Sequence, residues 1–365
     1  MTSRRSLVLL FTLVLGAGAL AFGPNAPGAV DQGAPASVRP PGTNYKGPAF
    51  TFNKITEGVY HAVGTGSLVV MSNATIIEGD RDVLVVDSHV TPGGAWALRE
   101  ELKAITPKPI RWVVNSHYHF DHSHGNQIYG PEVEIIGHEF ARQQILAGKS
   151  IDSPALEFYV GGVPGQIQAL EKRLAAATDD KDRATIQAQL EIQRNYLEGT
   201  KAVTPTPPTM TLTHSMTLHR GAREIRLLFL GRGHTAGDVV VYLPKERLVA
   251  TGDLLVEGTS YMGDAFFTEW IQTIEALKQV DFDTVLPGHG RAFSGKAKLD
   301  HWQAYLRDFW GQAQKFHKAG VPWQEAAKQV DLRGNAVNYP AIRTAGIIPD
   351  HGMRRAYELL DGKIK

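Results

Sequence analysis

The segment "NSHYHFDHSHGN", residues 115–126, places four histidines and an aspartate within eight residues. Imidazole is both a general base and a common metal ligand near neutral pH, and it is costly to bury unpaired. His117 and His119 stand two apart, so on an extended segment both side chains point the same way. Asp121 and His122 follow where the chain turns and can face an adjacent position. One loop could therefore serve two neighbouring cations. A hydrogen-bonded polar turn would account for one isolated histidine, but not for this density. The chain has no cysteine, so any metal must be held by His, Asp or Glu.

Further ligands are expected at other strand ends. "FLGRGHTAGDVV" offers His234 in a glycine-flanked loop, "LVATGDLL" offers Asp253, and "TVLPGHG" offers His289 between glycines. Each follows a β-rich run, where sites in α/β folds gather.

The elements that must position these residues alternate. "GVYHAV", "LVVMSNATIIEG" and "DVLVVDSH" read as strands and "GGAWALREELKAI" as a helix ended by Pro107 and Pro109. "RWVVNS" and "EVEIIG" read as strands, and "HEFARQQILAG" as a helix. Later come strands in "REIRLLFLG", "DVVVYLP" and "RLVATGD", the helix "TEWIQTIEALKQV", and the strand "TVLPGHG". Helical segments close the chain over about residues 296–365. Two successive strand-and-helix halves suit a layered α/β fold better than a TIM barrel. Between them, at about residues 150–208, Ile167, Leu170 and Leu174 and then Ile186, Leu190 and Leu197 suggest a helical hairpin, with "DDKD" as its turn. A surface elaboration covering the core is the leading reading of this insert; a lid or a dimer contact is the sharper one.

The N-terminus reads as an address. Two arginines, an apolar run and small residues around Ala19 and Ala21 make residues 1–22 a cleavable signal for periplasmic export or secretion, by the Sec or the twin-arginine route; an uncleaved membrane anchor is the alternative. Residues 23–49 are rich in Pro, Gly and Ala and read as a flexible tether, with the folded domain over residues 50–365. A net charge of +1 and the lack of a basic run in the domain point away from nucleic acid. The 43% hydrophobic content supports a sizeable core. The expected partner is a small-molecule substrate, with no stable membrane insertion after cleavage of the signal and an oligomer contact available to the insert.

The ordered set H-x-H-x-D-H, Gly-His-Thr, Thr-Gly-Asp and Pro-Gly-His-Gly resembles the metallo-β-lactamase superfamily, over residues 50–291. The resemblance implies an αββα sandwich. It implies that His117, His119 and His234 hold a first metal, that Asp121, His122 and His289 hold a second, and that Asp253 bridges both. Asp87, closing "VLVVDS", resembles a family aspartate that supports the metal loops. Five imidazoles and two carboxylates suit two zinc ions, and iron or manganese accept similar ligands. Water between two such ions would have its pKa lowered towards ~7 and attack an ester, lactone or amide carbonyl as hydroxide. Asp121 would orient it and shuttle the proton.

Asp253 stands where dedicated β-lactamases of this family carry Cys or Ser, which places β-lactams behind esters and lactones. The rival classes are a single-iron oxidoreductase of the persulfide dioxygenase type and a metal-binding protein without catalysis. Flavodiiron proteins have Glu where His119 stands. In "VEGTSYMGDAFFTEW", Tyr261, Met262, Phe266 and Phe267 could edge the cleft, with Tyr261 an oxyanion donor; anchoring of the next helix is the equal alternative. His124 reads as a supporting or solvent-facing imidazole, His89, His138, His214, His219 and His351 as ordinary polar residues, and the sequon at Asn73 as accidental.

Overall fold

The computed structural model describes residues 38–340 and 350–364. The proposed signal therefore lies outside the described residues. Among them no helix is long and apolar enough to cross a membrane.

Two β-sheets face each other. The first has seven strands in chain order: β1 (Phe50–Thr56), β2 (Val59–Gly64), β3 (Ala74–Glu78), β4 (Val83–Val86), β5 (Ile110–Val114), β6 (Glu134–His138) and β7 (Met210–Leu212). β1 to β4 pair antiparallel and β4 to β7 parallel. The second sheet holds β8 (Ser215–Arg220), β9 (Arg223–Phe229), β10 (Val239–Leu243), β11 (Leu248–Gly252), β12 (Thr284–Pro287) and β13 (Phe293–Ser294), again with neighbours in chain order. Only β11 and β12 pair in parallel.

The strands are β-branched and apolar on both faces because both faces are covered. Val86, Val114, Ile136, Leu227, Val241, Ala250 and Leu286 meet between the sheets. Outside the first sheet, helix α1 (Pro92–Leu102) packs Ala97, Leu98 and Leu102 on Ile76 and Val85. Outside the second, helices α7 (Phe267–Lys278), α8 (Ala297–Lys318), α9 (Trp323–Gln329) and α10 (Asp350–Leu360) bury Trp270, Trp302, Phe309 and Met353 against Val240, Val249 and Val285. The expected αββα sandwich is present.

The remaining α-helices of the described residues are α2 (Phe120–Ser123), α3 (Glu139–Leu146), α4 (Pro154–Val160), α5 (Val163–Ala176) and α6 (Asp180–Lys201). The last three form the insert. α5 and α6 make the expected hairpin, but "DDKD" is not its turn. Asp179 caps α6, its carboxylate accepting from Asp182 N–H at 2.9 Å, so the acidic run opens the helix where its dipole favours negative charge.

Two other expectations are corrected. "LVVMSN" is not a strand: strand β3 starts only at Ala74, and Met71 adopts φ 62, outside the β region. The tether also ends earlier than residue 49. Gly42 and Thr43 are buried, the Asn195 amide of α6 donates to Asn44 O, and Glu101 of α1 accepts from the amides of Ala49 (2.7 Å) and Phe50 (3.1 Å).

Leu227 is fully buried between the sheets. Leu227→Ala is expected to lower the unfolding free energy by about 2–5 kcal/mol, measured by urea denaturation; a loss under ~1 kcal/mol would show that this layer is not the tight core described.

Candidate metal centre

Five loops converge at one edge of the sandwich. Asp87 directly follows β4, Asn115 follows β5, Asp253 follows β11 and Gly288 follows β12, and the loop after β9 carries His234. β4 with β5, and β11 with β12, are parallel neighbours, so their C-terminal ends lie side by side. Glycine lets them close up. A Cβ at Gly288 would fall 2.4 Å from Asp253 Oδ1, and one at Gly252 (φ 51) would fall 2.3 Å from Ser116 Oγ.

All seven expected ligands meet there. His117, His119 and His234 form one group whose donor atoms lie within 4.8 Å of one another; Asp121, His122 and His289 form a second; His117, His122 and Asp253 form a third that joins them. His234 Nε2 lies 3.0 Å from His119 Nδ1, and His289 Nε2 lies 3.1 Å from Asp121 Oδ2. Asp253 sits between the groups: Oδ1 is 3.4 Å from His122 Nε2, while Oδ2 is 3.3 Å from His289 Nε2 and 3.8 Å from His234 Nε2.

Hydrogen bonds behind the cluster decide which ring nitrogens face inward. Asp87 accepts from Ser116 N–H (2.7 Å), Ser116 Oγ–H (2.9 Å) and His122 Nδ1 (2.8 Å). The serine's only hydroxyl proton is thereby committed, so Ser116 Oγ accepts from His117 Nδ1 at 3.0 Å. Both rings then carry a proton on Nδ1 and turn Nε2 towards the cluster. His119 is reversed: its Nε2 donates to Asp264 Oδ2 at 2.9 Å, leaving Nδ1 inward. Asp87 thus ties the end of β4 to Ser116 and His122.

The electrostatics suit a cation. Burial drives His117 well below its ordinary pKa, reinforced by the neighbouring His122, His119 and His234 rings. Burial also opposes ionisation of Asp121 and Asp253, yet His122 and His289 hold both carboxyls well below the usual range. Against the same burial, Asp121, Asp87 and Asp253 lift His122 well above its ordinary value, and chiefly Asp253 lifts His289 to about 10. Two ionised buried carboxylates thus demand positive charge beside them, from imidazolium protons or from a metal. His117 Nε2 and Asp253 Oδ1 are buried with no hydrogen-bond partner among the described residues. Orphaned donors of this type fit a metal, and the residues could hold one or two ions.

Other loops hold the frame. The Asn73 amide, the sequon residue, is buried and donates to Pro287 O (3.1 Å) and Gly290 O (2.8 Å), fixing the loop that carries His289. Ser72 Oγ donates to Asp121 O at 2.5 Å. Asp238, which burial pushes up to about 7, accepts from Thr235 N and Oγ1 and fixes the loop beside His234.

A pocket of about 200 Å³ opens over the ligands, lined by Met71, Phe120, Tyr159, Val256 and Tyr261 among others. Of the four residues expected to edge it, only Tyr261 does. Met262 and Phe267 belong to the core beneath α7 and α8, and Phe266 lies between the Arg232 and Arg355 guanidiniums. The insert is also more than a cover, because Ala155 and Tyr159 of α4 form pocket wall. His124 is buried rather than solvent-facing. His89 is buried with Nδ1 3.0 Å from Ser72 O, and His138 caps α3 by accepting from Phe140 N–H.

A model of the metallo-β-lactamase superfamily matches residues 68–131 and 192–289, the two stretches that carry all seven ligand candidates. The chain belongs to the metallo-β-lactamase superfamily. The unmatched gap contains α3 to α5 and the start of α6. This superfamily member is 25% identical over 257 residues to the alpha subunit of a 2,4-dinitroanisole O-demethylase from Nocardioides, covering 68% of this chain and 59% of that one. It is 22% identical over 305 residues to a linear primary-alkylsulfatase from Pseudomonas, covering 78% and 54%. Its fold superposes on a solved inverting sec-alkylsulfatase from Pseudomonas with a TM-score of 0.61 at 19% identity, covering 85% and 50%. The chain thus spans about half to three-fifths of the length of these relatives. The superfamily's members typically bind metal ions.

Replacing Asp87 by Asn keeps the shape but removes the charge and one acceptor. Metal affinity is expected to fall about 10–100-fold, measured by competition with a chromogenic chelator; unchanged affinity would show that Asp87 does not set the ligand rings.

Proposed function

We propose that this chain is a dinuclear, zinc-dependent hydrolase that cleaves an ester, lactone or amide carbonyl. The observation that supports it most is the pair of ligand groups joined by Asp253, with ring nitrogens turned inward beneath a pocket of about 200 Å³. His117, His119 and His234 would hold one ion and Asp121, His122 and His289 the other. Ions bound there would supply Lewis acidity and bring the pKa of a water towards ~7.

The chain's own groups do the rest. Asp121 Oδ2, on the pocket floor, accepts the proton released by the attacking water and returns it to the leaving group. The Tyr261 hydroxyl is buried without a partner among the described residues, and burial raises its pKa, so it stays protonated and able to donate to an oxyanion.

The relatives' names denote removal of sulfate from a primary alkyl chain and of methyl from an aryl ether oxygen. Their support is for scission beside an oxygen. The pocket favours a neutral carbonyl substrate over a sulfate monoester, because among the described residues no lysine or arginine lines it to meet a permanent anion.

Two measurements test this. Elemental analysis of the purified protein is expected to find two zinc ions per chain; one iron would favour the dioxygenase reading and no metal a non-catalytic one. In a panel of chromogenic esters, lactones, phosphodiesters, alkyl sulfates and cephalosporins, carboxylic esters or lactones are expected to turn over fastest. Cephalosporin or sulfate as the fastest substrate would overturn the carbonyl assignment. Asp121→Asn is expected to cost about 10²–10⁴-fold in kcat at full metal occupancy. A rate restored once metal is resupplied would assign Asp121 to binding alone.

A further inference from the structure

We propose that the pocket takes a single aromatic ring beside the group being cleaved, received by Tyr159 of the insert together with Tyr261 and Phe120. The proposal rests on the hydrolase reading for what is cleaved, but not for how the ring is held.

The pocket is divided by chemistry. Its floor carries Asp121, Asp253 and His289, and its walls carry the three aromatic rings with Met71 and Val256. A scissile group directed at the floor leaves the rest of the substrate among apolar side chains. Size then selects. An apolar cavity of roughly 150 Å³ holds one benzene, so about 200 Å³ has room for one ring and its carbonyl group.

The rings are placed to receive such a guest. Tyr159 lies 6.1 Å from Phe120, tilted by 38°, and Tyr261 stands edge-on to His119 at 5.8 Å. Tyr159 is 43% exposed, a large ring left uncovered at the mouth of the pocket on a helix whose N-terminus is capped by Ser153. Met71 is held at φ 62, a costly backbone for a residue with a side chain, while the Tyr196 hydroxyl donates to its sulfur at 3.3 Å. Strain of this kind persists where the surroundings over-determine it, and here it puts a polarisable thioether in the pocket wall, where sulfur contacts aromatic rings favourably.

Binding separates this inference from turnover. Benzamide, cyclohexanecarboxamide and acetamide are neutral and share the amide, so ligand-observed NMR on the full chain reads the effect of the ring alone. Benzamide is expected to bind roughly tenfold tighter than acetamide, with cyclohexanecarboxamide between them. Tyr159→Ala is expected to collapse the benzamide-to-acetamide ratio to within about twofold, and Tyr159→Phe to preserve it. Tyr159 is half-exposed, so neither change removes core. Equal binding of benzamide and acetamide, a ratio that survives Tyr159→Ala, or cyclohexanecarboxamide matching benzamide would overturn the aromatic assignment. A protein that hydrolyses no ester but keeps the ratio contradicts only the proposed function; an esterase without the ratio contradicts only this inference.

Discussion

The site depends on one buried carboxylate. Asp87 leaves β4 at φ 68 and reaches the loop after β5, where it accepts three hydrogen bonds. One goes directly to His122, and the other two fix Ser116, which in turn fixes His117. A single group thereby sets the tautomer of a ring from each of the two ligand groups. The parallel pairing of β4 and β5 makes this reach short, since both strands finish at the same edge. Had they been antiparallel, Asp87 would leave its strand at the opposite end from the histidine loop.

The candidate ligand set was legible in the sequence because its residues lie close together there. Four of the seven candidates sit within six residues, and the other three each follow a strand next to a glycine. The sandwich was legible for a related reason: strands covered on both faces read as continuous apolar runs, as in "VLVV" and "VVVYL". Asp87 was legible only through the resemblance, since nothing in "VLVVDS" itself reports the distance to Ser116.

What stayed hidden depends on contacts between distant segments. Asp264, which orients His119, is 145 positions away from it and lies in a loop that reads as aromatic. Asn73 reads only as an accidental sequon; its side-chain amide donates to two carbonyls more than 200 residues on. "LVVMSN" has strand composition, but Ser72 and Asn73 are spent on tying two ligand loops together, which a sheet ladder would forbid. The aromatics of "YMGDAFF" could not be divided by pattern. Burial divides them: Met262 and Phe267 go into the core and only Tyr261 reaches the pocket. The insert's amphipathic spacing reports the α5–α6 hairpin and is silent about α4, a single short helix whose Tyr159 matters through its position.

The charge pattern links the site to the stability of the fold. Asp121, Asp253 and Asp87 are buried together with the imidazoles of His117, His119, His122 and His234, with His289 partly exposed at the rim, a concentration of polar groups that a core of this kind tolerates only when each is paired. Asp87 is paired by the protein itself. The inward atoms are different: His117 Nε2 has no hydrogen-bond partner among the described residues, and Asp253 Oδ1 has none closer than the His122 ring at 3.4 Å. A cation that binds them in the folded chain and finds no such cluster in the unfolded one stabilises the fold in proportion to the logarithm of its concentration over its Kd. Because the candidate ligands come from loops of both sheets, such a cation would tie the two sheets together at this edge rather than stabilise one half alone.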